Sequence, residues 1–311
     1  KLVDNRFNRN FLAFEDSYAC NLDDSARKGI NINVADFPYL WLEGNGGTGY
    51  YPTYTGDTFL ISGLGCIYGG GASDYDAVTT IQINSQSLTT NFNFLNKFVY
   101  LNYLRLQSNS ILNIDIAENN LNYFHFGGNA NITILGLENQ ANLTNLLCYS
   151  CNLNSLNITN NDDLVNLYCY DNNITSLDLV NKLDIDYLSC YNNSITSLDL
   201  VNNTKLKYVL CNNNQLTLLN TSTLSELIEL RFQNNLITNL DISNSTSLMY
   251  LRGENNQLTA AVNSQVLIDL DAHGLSNGYF RSSIFGGGTL TTAGATAKAN
   301  LQGKGWTIVG I

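Results

Sequence analysis

The sequence predicts a mainly β, right-handed solenoid. Short repeated coils build one parallel β-sheet, a small β domain precedes it, and a C-terminal cap closes it. Three observations carry this reading. Cys148, Cys169, Cys190 and Cys211 recur every 21 residues. The apolar residues around them keep the same period, as in Leu164, Leu167, Cys169, Ile174, Leu177 and Leu179. Asparagine supplies 48 of the 311 residues, densest between 102 and 256, in a chain only 13% charged, where ~25% is usual. Self-similarity at a fixed period of ~20–50 residues marks stacked repeats, and the apolar content rules out a disordered asparagine-rich chain.

The coil reads LxxLxCxxNxIxxLxL. It starts at Leu164 and again at Ile185, Leu206, Leu227 and Leu248, each 21 residues on. Going backwards it fits Leu143, Leu121 and Leu101, and more weakly Val78; Leu267 and Leu270 begin a degenerate tenth copy. Positions four and six of each coil alternate with three, five and seven, the period of a strand. Four and six are expected to face inward, so the four cysteines form an inward ladder, replaced in other coils by Leu106, Phe126, Phe232 and Gly253. Asn109, Asn129, Asn172, Asn193, Asn214, Asn235 and Asn256 form a second ladder, with Cys151 substituting once. The turn after each strand buries backbone groups that need partners, and an amide both donates and accepts. Asp115, Asp178, Asp199 and Asp241 precede the last apolar residue of their coils and read as solvated turn residues rather than a calcium site. The return half of a coil is too short for a helix of ~10 residues, so it is expected to be extended or a single 3₁₀ turn.

Residues 78–259 form the repeat region. Eight consecutive copies in register resemble a leucine-rich-repeat protein, over roughly residues 78–280. The 21-residue form with cysteine in the second inward position resembles the short type of bacterial and phage surface proteins. The resemblance implies display on an extracellular or virion surface and a protein or glycan receptor bound on the concave face of the sheet.

The flanks differ. Residues 1–77 hold no repeat, contain Cys20 and Cys66, and are rich in glycine and tyrosine between 44 and 73. Strands are expected at 31–34, 39–42 and 58–61, in a domain for attachment or capping that would meet other virion proteins. The glycines of residues 63–69 lack the GxGxxG spacing of a dinucleotide loop. Terminal coils of an open solenoid expose core and need caps. Residues 260–311 are expected to supply one, with helices at 264–270 and 295–301 and a closing strand at 306–309.

Composition excludes several classes. A net charge of −11 argues against binding nucleic acid or an anionic membrane surface. No apolar run reaches the ~18 residues of a membrane span, and residues 1–10 hold no signal-peptide core. The odd cysteine count argues against a disulfide framework. Cys148 and Cys151 form a lone CxxC without the partners of a zinc set. No HExxH, GxSxG or phosphate-binding loop occurs. His125, at position five of its coil, is expected to face solvent, and His273 falls in the cap. The chain is therefore read as non-enzymatic, with no metal and no cofactor.

The outward positions carry the functional expectation. Of 24 sites at positions three, five and seven, nine are tyrosine, half of all 18: Tyr103, Tyr123, Tyr149, Tyr168, Tyr170, Tyr187, Tyr191, Tyr208 and Tyr250. Arg105, Arg231 and Arg252 share the stripe. Tyrosine and arginine are enriched in interface hot spots. Strand propensity also favours aromatic residues, but it does not explain so many on the solvent side. The reading is a recognition or adhesion protein, with a virion component of host attachment (tail fibre, spike or capsid decoration) ahead of a secreted internalin-like bacterial adhesin and of a structural shell or filament subunit.

Overall fold

The computed structural model describes residues 100–117, 119–130 and 132–311, with Leu95 and six short strands between residues 31 and 82. The readings on Cys20, Cys66 and residues 63–69 lie outside these residues. The chain divides into two compact units, Lys1–Leu143 and Thr144–Ile311.

In the first unit the strands are β1 (Asn31–Asn33), β2 (Trp41–Gly44), β3 (Gly49–Tyr50), β4 (Tyr54–Thr55), β5 (Thr58–Leu60), β6 (Val78–Gln82), β7 (Tyr103–Arg105), β8 (Asn113–Asp115), β9 (Tyr123–His125) and β10 (Thr133–Leu135). β5 pairs antiparallel with β1 and β4, and β2 with β3 and β6. From β6 the pairing turns parallel: Ile81, Leu104 and Phe124 align across β6, β7 and β9. β8 and β10 pair in parallel on the return side of their coils, where an extended chain was expected. A single 3₁₀ turn follows at Leu137–Asn139.

The second unit holds β11 (Asn145–Leu147), β12 (Asn166–Tyr168), β13 (Tyr187–Ser189), β14 (Tyr208–Leu210), β15 (Glu229–Arg231), β16 (Tyr250–Arg252), β17 (Tyr279–Arg281) and β18 (Thr307–Val309). All pair in parallel and in chain order, with Leu146, Leu167, Leu188, Val209, Leu230, Leu251, Phe280 and Ile308 in register. Positions four and six form the core. Leu146, Leu167, Leu188, Cys148, Cys169, Cys190, Cys211 and Phe232 have no exposed surface. Gly253 follows from Phe232: a Cβ there would lie 2.2 Å from the Phe232 ring, so the large ring of one coil requires glycine in the next.

The asparagine ladder satisfies the turns. Asn172 Nδ2 donates to the carbonyls of Cys148 (2.9 Å) and Cys169 (3.0 Å), and its Oδ1 accepts from the amides of Cys151 and Leu153 (both 3.0 Å). Asn193, Asn214, Asn235 and Asn256 repeat the donation to their own and the preceding coil. A second asparagine, or Asp171, precedes each: Asp171, Asn192, Asn213, Asn234 and Asn255 hold φ between 52° and 58°, the left-handed region that asparagine and aspartate tolerate. Their side chains hydrogen-bond in series from coil to coil, ending on the Asp171 carboxylate. The paired asparagines of the sequence thus have two jobs, a left-handed turn and a backbone clamp.

Asp178, Asp199 and Asp241 each accept from the amide two residues on, a local turn bond. A further buried polar row, beyond the last template position, includes Asn161, Lys182, Asn203 and Ser245. Lys182 is 2% exposed and reaches Asp162 at 2.6 Å.

Beyond β16 the period breaks. Leu267 and Leu270 do not begin a tenth strand: they are buried in helix α1 (Ala260–Ala272), capped by Thr259. The open core at the end of the repeats needs a lid, and a helix presents Val266, Leu267 and Leu270 to it. The next strand is β17, with Phe280 in the core position. Helix α2 (Thr292–Gly303) packs on α1, where a Cβ on Gly294 would stand 2.5 Å from Ser264. Both helices are longer than expected. Neither is long and apolar enough to cross a membrane.

The inward ladder has a chemical consequence. Burial pushes the thiols of Cys148, Cys169 and Cys211 well above their ordinary range and that of Cys190 to about 12. All four are free and buried. Only the thiolate reacts, so a maleimide at pH 8 should leave them unlabelled in the native protein and label them rapidly in denaturant. Fast native labelling of all four would contradict this register.

Candidate binding face

Tyrosines at positions three, five and seven point away from the core because the inward leucines fix the alternation of each strand. In the second unit Tyr149, Tyr170 and Tyr191 form one column, with ring centroids 4.7 and 4.5 Å apart and planes within 2° and 9°. The spacing is that of adjacent strands, ~4.8 Å. Tyr168 stacks on Tyr187 at 4.7 Å, and Tyr187 leads to Tyr208 at 5.5 Å with a 32° tilt. Tyr149, Tyr168, Tyr170, Tyr187, Tyr191 and Tyr208 therefore lie in four successive coils, on β12, β13 and β14 or just after β11, β12 and β13. All are half-buried. The middle rings, Tyr170 and Tyr187, have a tyrosine on each side, so edges and hydroxyls are what they offer a ligand. Burial raises the phenols of Tyr168, Tyr170, Tyr187 and Tyr191 above their ordinary range, with neighbouring tyrosines adding at Tyr170 and Tyr187. They are donors at neutral pH.

Farther along the same face, Tyr250 stacks on Tyr279 at 4.9 Å. Arg231 lies 4.9 Å over the Tyr250 ring and pairs with Glu229; Arg252 pairs with Glu254. Tyr279 and Arg281 were missed from the sequence because α1 places them 29 residues after Tyr250 and Arg252 instead of 21. The signal was present: Tyr279, Phe280 and Arg281 repeat the pattern of Tyr250, Leu251 and Arg252, and of Tyr103, Leu104 and Arg105.

In the first unit Tyr103 and Tyr123 stack at 4.2 Å with planes 3° apart, and Arg105 Nε donates to Gln107 at 3.0 Å. His125 corrects an expectation. It is not solvent-facing but 4% exposed, in edge contact with Tyr123 at 6.4 Å. Burial, with the Arg105 charge, lowers its pKa to about 4. Ser189, at the same position of another coil, is also buried. Position five can thus be covered by the residues around it, so outward pointing does not ensure exposure. Among the described residues no three histidine, cysteine or acidic side chains are placed to hold a metal.

No family model matches the chain, and no curated protein matches it. Solved structures do. A leucine-rich-repeat protein of Leptospira interrogans superposes with a TM-score of 0.63 at 21% identity, over 76% of this chain and 61% of that one. This chain therefore spans about three-fifths of the Leptospira protein's length. Internalin C2 of Listeria monocytogenes matches with a TM-score of 0.48 at 20% identity, over 67% of this chain and 80% of its own. The functional domain of InlJ from Listeria monocytogenes, described as including a cysteine ladder, gives 0.41 at 23% identity, over 66% and 53%. The chain has the fold of leucine-rich-repeat proteins, a parallel-sheet β-solenoid with about 21 residues per turn.

Proposed function

We propose that the chain is a non-enzymatic recognition protein that binds a protein or glycan ligand through the tyrosine-rich strand face, and that it is displayed on an extracellular or virion surface. The observation that supports this reading is the pair of tyrosine columns in the second unit. Six tyrosines from four coils form one half-exposed surface of phenol edges and hydroxyls, built on a sheet whose opposite side is core. Such a surface pre-orders its aromatic groups, which lowers the entropy lost on binding. Tyr103, Arg105 and Tyr123 carry the same pattern in the first unit. In this reading residues 1–77 attach the protein to its particle or surface, residues 78–259 recognise, and residues 260–311 cap.

The test pairs attachment to host cells with thermal stability for the Tyr168→Ala, Tyr170→Ala, Tyr191→Ala triple variant. Attachment should be lost. Stability should fall by the stacking alone, ~0.5–1.5 kcal/mol per aromatic pair, with unfolding still cooperative. Unchanged attachment by a soluble, folded triple variant would sink the recognition face and favour a structural subunit, whose strand face would be packed within the assembled particle.

A further inference from the structure

Position five of three successive strands in the second unit carries arginine: Arg231 on β15, Arg252 on β16 and Arg281 on β17, each in register with the next. Strands lie ~4.8 Å apart, so the three stems form a rank about 10 Å long. Like charges at this spacing repel, and the chain compensates in part only. Glu229 pairs with Arg231, and Glu254 pairs with Arg252 and stands 3.5 Å from Arg281. Two carboxylates serve three guanidiniums.

The carboxylates are also the deeper groups. Glu229 and Glu254 are 20% and 10% exposed, against 36%, 26% and 45% for Arg231, Arg252 and Arg281. Solvent meets the cationic ends, a local reversal in a chain of net charge −11. The hydrogen bonding is not closed within the chain. Arg252 Nε is a buried donor without a partner among the described residues; Glu254 Oε2 and Gln233 Oε1 are unpartnered acceptors there, which a carboxylate does not satisfy. Tyr250, held between Tyr279 on one face and Arg231 on the other, keeps the Arg231 guanidinium against an aromatic wall.

We infer that this rank anchors an acidic segment of a protein partner, with carboxylates taken by Arg231 and Arg281 while Arg252 stays committed to Glu254. The inference rests on the strand face being the binding face, and it gives the ligand a charge. A guanidinium fork matches a carboxylate in two parallel hydrogen bonds. Arg231 and Arg281 are two strand spacings apart, about 10 Å, which an extended peptide covers in about three residues at ~3.3 Å each. Side chains of an extended chain alternate between faces, so a fitting segment carries acidic residues two or four positions apart, ~7 or ~13 Å, a spacing the long arginine stems can meet. A polypeptide fits better than an acidic glycan, because Tyr250 has both ring faces covered and offers no open face to a sugar ring.

The probe is a hexaglutamate peptide titrated calorimetrically into the full chain, with hexalysine and hyaluronate as comparisons. Hexaglutamate should bind, more weakly as salt rises, and hexalysine should not. Arg231→Gln and Arg281→Gln should each weaken binding about tenfold, the scale of a lost charged hydrogen bond; Arg281→Gln should leave the melting temperature unchanged, whereas Arg231→Gln also gives up the Glu229 pair and the Tyr250 contact. Arg281→Lys should recover only part of the loss, because an ammonium lacks the fork. No binding of hexaglutamate, binding indifferent to both glutamine variants, or binding of hyaluronate in its place would overturn the inference. The tyrosine triple variant lies outside the rank and separates the failures. If it abolishes attachment while hexaglutamate does not bind, the face stands and only the acidic partner fails. If attachment survives it, the face itself fails.

Discussion

Asn235→Leu should lower stability by about 2–6 kcal/mol: the Leu216 amide is left without its partner, ~1–3 kcal/mol, and the Cys211 and Phe232 carbonyls, which keep Asn214 and Asn256, each lose one of two donors at ~0.5–1.5 kcal/mol. Asn235 is 5% exposed. Its Nδ2 donates to the carbonyls of Cys211 (3.1 Å) and Phe232 (2.9 Å), and its Oδ1 accepts from the Leu216 amide at 2.9 Å. Leucine keeps the volume, so the loss isolates hydrogen bonding from packing. Asn234, one residue earlier, supplies the control. It is exposed, with φ 58°, a conformation glycine adopts freely, so Asn234→Gly should cost far less. Guanidinium denaturation of both variants checks the contrast. Equal losses would mean that the ladder does not hold the coils together.

Leu188→Ala should cost ~2–5 kcal/mol through lost burial and the cavity left behind. Leu188 has no exposed surface and sits in register between Leu167 and Val209, so the cavity opens toward both neighbouring coils. Stability in a repeat array is largely a sum of coil and interface terms. A defect in the middle removes two interfaces, and the melt should broaden as well as shift. A loss below about 1 kcal/mol would place Leu188 outside the core.

The period made most of this legible. Once Cys148, Cys169, Cys190 and Cys211 set a 21-residue repeat, alternation placed Leu167 and Leu188 inside and Tyr168 and Tyr170 outside, and the structure agrees. What was not legible depends on neighbours in space. His125 and Ser189 occupy outward positions yet are buried, because depth on a sheet face depends on the residues of adjacent strands. The stacking of Tyr149, Tyr170 and Tyr191, which covers the Tyr170 ring on both sides, follows from the same proximity. Leu267 and Leu270 matched the template but lie in a helix, because the last coil needs covering and a pattern of leucines fits either period. That helix displaced Tyr279 and Arg281 from the register that would have revealed them. The polar row of Asn161, Lys182, Asn203 and Ser245 varies too much in residue type to show as a ladder in sequence.

One attachment assay bears most directly on the strand face as the recognition surface. It compares Tyr168→Ala, Tyr170→Ala, Tyr191→Ala with a second triple variant, Thr175→Ala, Thr196→Ala, Thr217→Ala, whose threonines are exposed on the return side of three coils of the same unit. Binding of both soluble, folded proteins to host cells is measured beside the parent. Loss confined to the tyrosine variant is the expected result; full binding by the tyrosine variant, or loss confined to the threonine variant, would contradict it.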